Sequence, residues 1–309
     1  MTQTDVVLIV GELVVDYTLN QRGVMSKLRL GGVSHAARGL WAAELEYSVA
    51  AFCPQYLVDE AKHYLAELGC QEFIWLGDVV GAPNVFLIGD VTEVSHQGYE
   101  DLMRDTKVVT FHAPLPQLDT YEKIVVFPGR FDINTLASMF SEEARFSFDI
   151  AYDLEDLSSL HAFRGRVEAV IISTSSSLFL RLGKDSVDGL LETIKRLSPD
   201  VFLLKENRGG SRLFDVRNSR VEEIPATLSH TVNSVGVGDV YSGVMVALSQ
   251  KGWTEAAWRG CQAATAYSQS TFPDDIKRDV QRAFRLSLEV LQALGGTMLP
   301  WHDRQSYSI

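Results

Sequence analysis

The stretch VNSVGVGDVYSGVMVAL, residues 232–248, places three glycines and one aspartate around the start of an apolar run. Glycine costs helix stability, and a carboxylate is expensive to bury beside valines and leucines. A glycine-bearing loop that enters a helix offers free backbone N–H groups and the positive end of the helix dipole, which together make an anion site. Gly236 and Gly238 let the backbone come close to a phosphate. Asp239 would repel a passively bound anion, but it suits a turn where a proton is taken from a hydroxyl attacking that phosphate. The bland alternative is a helix cap, the commonest task of an aspartate at such a place.

Around this turn the chain alternates. DVVLIVGEL, YSVAAFC, EFIWLG, KIVVFPG, RFSFDI, AVIIST and VFLLKE are dense in β-branched and aromatic residues and read as buried strands. Between them lie helical patterns. One starts near Ser34, LVDEAKHYLAELG stops at Gly69, and SVDGLLETIKRLS and a long DDIKRDVQRAFRLSLEVLQAL follow. Strands separated by helices predict a largely parallel sheet covered on both faces. Residues 84–109 hold short strand-like pieces without a helical stripe, and with residues 17–30 they predict a small β lid. No linker, repeat or low-complexity tract divides residues 1–309, so one domain is expected.

Bulk properties set the outer limits. Of 309 residues 46% are apolar and 22% charged, as in a globular chain. A net charge of −12 argues against a nucleic-acid surface while permitting a local anion site. Cys53, Cys70 and Cys261 have no metal-type spacing and read as thiols of a reducing compartment. No signal peptide is visible, and no apolar run reaches the ~20 residues that cross a bilayer. A cytoplasmic protein without membrane contact is the expectation. The five tryptophans form no repeated motif and read as packing groups.

Together these segments resemble the ribokinase family, the PfkB carbohydrate kinases, whose signature Asp-Thr-x-Gly-Ala-Gly-Asp runs into an apolar helix. The closing Gly-x-Gly-Asp is intact as Gly236, Val237, Gly238 and Asp239, with Val237 in the alanine position; Ser234 replaces the threonine and Asn233 the first aspartate. GELVVD looks like the family's first strand, ending in the acceptor-contacting Asp16, and LGGVSHAARGLWAAELEYSVAAF is similar to its Gly-Gly segment, helix and second strand. FLLKENRGGSRLF resembles the strand and turn beside the nucleotide, Gly210 and Ser211 matching best. The order and spacing of several weak motifs carry the resemblance over nearly the whole chain.

The resemblance implies a three-layer α/β sandwich with a mostly parallel sheet and a β lid. It also implies ATP as donor, Mg²⁺ as accompanying ion and a sugar, nucleoside or related small molecule as acceptor. In that scheme Asp239 is the base and the amides of Gly236, Val237 and Gly238 cradle the phosphoryl group. Asp16, Gly31, Gly32 and His35 face the acceptor, and Lys205, Asn207, Gly210 and Ser234 lie beside the nucleotide. A homodimer through the apolar face of the lid fits the same scheme.

Three departures qualify the pattern. Where the family has an acceptor-binding asparagine, His35 or Ala36 stands, according to where a one-residue gap is set. Where it has Asn-x-x-Glu, residues 173–177 offer mainly serines, so a metal would be held through water and phosphate, or weakly. Asn207 takes the place of a glycine, beside Lys205 and Arg208. Asp149 and Asp153 follow a strand end, a position that suits either a ligand site or a turn. Two rival classes follow: a small-molecule sensor on a kinase fold, and a dinucleotide oxidoreductase. The second requires Gly-x-Gly-x-x-Gly after the first strand, where IVGELVVDY has a single glycine.

Overall fold

The computed structural model describes residues 6–19, 27–89, 91, 99–151, 154, 156–183, 186–206, 210–226, 231–270 and 272–294. The first half carries β1 (Val7–Thr18), β2 (Lys27–Gly32), α1 (Ser34–Ala42), β3 (Tyr47–Phe52), α2 (Val58–Glu67) and β4 (Phe73–Val80). The short strands β5 (Val85–Ile88), β6 (Tyr99–Asp101) and β7 (Val108–Phe111) come next. They lead to β8 (Lys123–Val126), α3 (Ile133–Ala137), β9 (Arg145–Ile150) and β10 (Val167–Ser173). After α4 (Ser177–Leu182) and α5 (Val187–Lys195) come β11 (Val201–Lys205), β12 (Ser211–Asp215) and β13 (Arg220–Ile224). Four helices close the described chain: α6 (Val237–Ala247), α7 (Trp253–Gln269), α8 (Pro273–Phe284) and α9 (Leu288–Leu294).

The main sheet runs β13-β12-β11-β10-β9-β8-β1-β3-β4-β7. The strands from β11 to β4 along this order are parallel; β12, β13 and β7 add antiparallel edges. Period-2 alternation in β1 explains why the sheet is covered twice. Val7 and Ile9 point into one apolar cluster, with Leu40 of α1, Val244 of α6 and Ala263 of α7. Leu8 and Val10 point into the other, with Leu136 of α3 and Ile194 of α5. The result is the expected α/β sandwich, helices on both faces of a mostly parallel sheet.

The strand expected over residues 5–13 is longer than its sequence reading, because β1 serves two sheets. Val7–Val10 pair with β3 and β8, and from Leu13 onward the same strand pairs antiparallel with β2. Val15 to Thr18 also pair parallel with β5, which carries β6 at its edge. This small sheet is the lid. It differs from the expected segments in one respect: β7 falls within residues 84–109 yet belongs to the main sheet, paired with β4. Phe111 accounts for that choice, since its ring meets Phe52 edge-on at 4.8 Å within the core. The single long helix expected at 274–294 is two helices. The Ser287 hydroxyl accepts from the Val290 N–H at 3.4 Å and starts α9 afresh. Among the described residues, no helix is long and apolar enough to cross a membrane.

Candidate functional site

The C-terminal ends of the parallel strands, the lid and the start of α6 enclose a cleft of about 370 Å³. Its walls bring together residues far apart in the chain: Asp16, Gly32 and His35 from one side, Lys205 and Gly210 from another, and Ser234 to Asp239 along the floor. Of the residues expected in the site, Asn207 lies outside the described residues, as do Arg208 and Asp153.

The floor is the turn that enters α6. Gly236 adopts φ +81°, a conformation that side-chain-bearing residues rarely take, and it is the residue before the helix. Val237 N–H turns back to the Ser234 carbonyl at 3.3 Å. The amides of Gly238 and Asp239, in the first turn, have no carbonyl one turn behind them inside the helix. Gly238 and Asp239 both line the cleft. Burial, then the charges of Asp149 and Asp16, pushes that carboxyl up to about 8 against the pull of Lys205.

Lys205 lines the cleft and is held by a set of internal hydrogen bonds. Its ammonium donates to Asp149 Oδ2 at 2.6 Å, to Ser242 Oγ at 3.2 Å and to the Gly238 carbonyl at 3.3 Å. Those three bonds exhaust its three donors. The lysine expected beside a nucleotide therefore anchors the first turn of α6 to the end of β9. Asp149, a weak candidate from sequence, is the other half of this pair, with its Oδ1 buried and without a hydrogen bond among the described residues.

Asp16 and His35 form the wall toward the lid. Asp16 is 3% exposed, and its Oδ2 accepts from His35 Nε2 at 2.9 Å and from Arg29 Nε at 3.3 Å. Arg29 is its direct cross-strand partner on β2. On the other side of the imidazole, Nδ1 lies 2.9 Å from Arg38 Nη1 and 2.8 Å from the Tyr267 hydroxyl. A guanidinium has only N–H groups to offer, so Nδ1 is the acceptor and Nε2 carries the hydrogen. Burial, aided by the Arg29 and Arg38 charges, outweighs the attraction of Asp16 and holds His35 down to about 4. Burial pushes Asp16 up as well, but His35 and the two arginines outweigh it and hold the carboxyl below its ordinary value. At neutral pH the pair is a carboxylate and a neutral imidazole.

Two glycines make this wall possible. A Cβ on Gly31 would lie 2.0 Å from Asp16 Oδ1, and one on Gly236 would lie 2.1 Å from the His35 ring. The ring thus packs directly on the turn before Asp239. Arg38 is legible in hindsight at i+3 from His35 on α1, whereas Tyr267 is 232 residues away and carries no sequence signal. Ser234 meets the lid: its N–H donates to the Val91 carbonyl at 2.7 Å, and its hydroxyl is 3.2 Å from that of Tyr99. In the region expected to lack the family's carboxylate, Ser173 and Ser175 hydroxyls bond each other at 2.8 Å. Gly210 closes the opposite wall at φ +96°, its carbonyl accepting from Glu206 N–H at 2.8 Å.

Three solved structures share this architecture. A ribokinase from Giardia lamblia superposes with a TM-score of 0.66 at 15% identity, over 91% of this chain and 99% of its own. The chain has the ribokinase-like fold. A ribokinase from Cryptococcus neoformans in complex with ADP gives 0.64 at 16% identity, over 91% and 99%. A fructokinase from Vibrio cholerae, with fructose, ADP and calcium bound, gives 0.64 at 13%, over 94% and 99%. No protein-family model and no curated sequence matches the chain. Within the ribokinase-like fold, the cleft, the lid and the α6 turn lie at the carboxyl ends of the strands, the ligand-binding edge of open α/β sheets.

Two outcomes follow from this geometry. A carboxyl that titrates at about 8 in the folded state and near 3.8 in the unfolded chain binds more protons when folded at every pH between. Its ionisation therefore erodes stability as pH rises through that window. The melting temperature of Asp239→Asn relative to wild type should climb from about pH 5 to about pH 8 and level off above it. A difference that stays flat over that range rules out the raised carboxyl. Gly236→Ala, which combines a positive φ with a clash on His35, should lower the melting temperature more than Gly69→Ala, where φ is +74° but no atom lies within 4 Å of the new methyl. The Gly69 change carries only the left-handed penalty of roughly 1–2 kcal/mol. Equal losses would show that the His35 contact is slack.

Proposed function

We propose that the chain is an ATP-dependent phosphotransferase acting on the hydroxyl of a small molecule, with Asp239 as the general base. The observation that carries this reading is Asp239 on the cleft floor, beside the Gly236–Gly238 backbone and at the positive end of α6. A carboxyl at that point serves no purpose for anion binding alone. The printed names of the structural neighbours, a ribokinase with ADP and a fructokinase with fructose and ADP, support it.

In this reading the acceptor oxygen forms a bond to the γ-phosphorus as the bond from that phosphorus to the β,γ-bridging oxygen breaks. ADP leaves, and the acceptor's proton passes to Asp239. The first-turn amides of α6 hold charge on the transferring group, the kind of fixed-dipole stabilisation that commonly dominates catalysis. The nucleotide would lie along the α7 side, where Ala226, Ala264, Thr265 and Ser268 line the cleft with small side chains.

The donor set does not make a protein-only metal cage: among the described residues no group of three His, Cys, Asp or Glu side chains could hold an ion. Mg²⁺ therefore enters this reading only as the companion of the nucleotide's phosphates. Ser173 and Ser175, paired with each other, favour the second reading, a binding protein that senses the same ligands without turning them over.

ATP consumption separates the two. Wild-type protein assayed with Mg²⁺ and a panel of alcohols should consume ATP, and Asp239→Asn should lose roughly 10²-fold or more while keeping its ATP affinity. Because Asp239 must be ionised to accept a proton, kcat/KM should rise with pH through about 8. A D239N variant that folds, binds ATP and turns over at the wild-type rate removes Asp239 from the chemistry.

A further inference from the structure

Arg38 has no part in the phosphoryl-transfer scheme above, yet it is tied into the wall of the cleft from behind. It lies on α1, one turn past His35, and its guanidinium joins that helix to three other elements. Nε donates to the Tyr64 hydroxyl of α2, Nη2 to the Leu30 carbonyl of β2 at 2.6 Å, and Nη1 to His35 Nδ1 at 2.9 Å. Nη1 also lies 3.3 Å from the Tyr267 hydroxyl of α7. The Tyr64 ring packs against the same group, its centroid 5.1 Å from Cζ.

The other groups facing the imidazole are Asp16 from β1, Arg29 from β2 and Tyr267 from α7, with Asp239 of α6 lining the same cleft. Asp16 favours a charged ring, since an imidazolium 2.9 Å from a carboxylate is an ion pair. Tyr267 suits either state, because a hydroxyl donates to a bare Nδ1 or accepts from a protonated one. Arg29 opposes a further positive charge, but it bonds Asp16 and not the ring. Arg38 forbids that charge at contact. A proton on Nδ1 would set N–H against N–H and hold two cations 2.9 Å apart.

The charge of the ring matters because of where the ring lies. It packs on Gly236, the residue before α6, so closely that a Cβ there would fall 2.1 Å from it. This turn is the positive end of the α6 dipole, which repels a cation pressed against it and tolerates a neutral ring. Burial first, then Asp149, keeps the Asp239 carboxyl protonated up to about 8, so below that pH the turn has no anion of its own to offset an imidazolium. We propose that Arg38 is a positioning residue that keeps His35 uncharged, so that the imidazole can hold the Gly236 turn against the end of β1. What the turn holds rests on the phosphotransferase reading, whereas the charge of the ring does not.

The test is an NMR titration of the full chain labelled with ¹⁵N-histidine, without nucleotide. The His35 ring signals are identified by their loss in His35→Gln. In wild type the ring should be neutral with its hydrogen on Nε2 down to about pH 5, and should charge at about 4. Arg38→Met should raise the proton affinity of the ring about tenfold or more, which moves the midpoint up by about one pH unit at least. Arg38→Gln, whose amide oxygen can accept from a protonated Nδ1, should do the same and serves if the methionine variant does not fold. Arg38→Lys keeps a cation and a donor, and should leave the midpoint near that of wild type.

Stability supplies a second readout. A ring that charges at about 4 when folded and near 6.5 when unfolded binds fewer protons in the folded state, so the melting temperature falls as pH drops through that window. The fall should be shallower in Arg38→Met or Arg38→Gln than in wild type and Arg38→Lys. Neutral variants whose His35 charges at the wild-type pH overturn the proposal. So does an Arg38→Lys ring that charges as readily as the neutral variants. Calorimetry with ADP reports on the phosphotransferase reading separately: failure to bind ADP defeats that reading, while the titration decides the role of Arg38.

Discussion

The hydrogen bond between Asp16 and His35 holds the candidate site together. It joins the end of β1 to the first turn of α1, and the imidazole carries the connection to Tyr267 of α7 and to the Gly236 turn. A buried carboxylate without partners would be prohibitively costly. Here an N–H and an arginine satisfy it, and the cost is further spread over Arg38. The arrangement works only with a neutral imidazole of one tautomer, because Arg38 occupies the other nitrogen. His35 thus acts as a wedge between the Asp16 wall and the turn that presents Asp239.

A second electrostatic arrangement lies under the floor. Asp149, Asp239 and Asp16 crowd one end of the sheet, with Lys205 bonded to Asp149 and Arg29 to Asp16. With all three of its N–H groups engaged, Lys205 fixes the α6 start mechanically and lowers the cost of ionising Asp239 without touching it through a hydrogen bond. The balance leaves Asp239 protonated more easily than an ordinary aspartate. On the lid side, Asp101 is paired with Lys107 and Glu12 Oε1 accepts the Arg130 N–H, beside the apolar side chains of Phe86 and Ile88.

Much of this was legible in the chain. The strands, the α1 start at Ser34, the Gly-x-Gly-Asp turn and the two-part lid all have local causes: side-chain period, glycine at turns, and a strong apolar run. The misreadings also have local causes. A helical stripe continues through residues 274–294, and only the Ser287 cap interrupts it. Residues 108–111 look like any short exposed strand until Phe111 finds Phe52. The Lys205–Asp149 ion pair has no local signal at all, because its two residues lie 56 positions apart.

By itself, the sequence determined the alternation of strands and helices, hence a parallel sheet covered on both faces, and the glycine turn that sets an aspartate at a helix start. These follow from interactions within a few residues of each other, where spacing alone decides which face a side chain takes. Only the tertiary structure decided which polar groups are free. Whether Asp16, His35 and Lys205 meet a ligand or one another depends on Arg29 across a strand pair, Tyr267 on a distant helix and Asp149 at another strand's end. Burial makes those pairings compulsory, since a charge removed from water must find its partner among whatever the fold brings within reach.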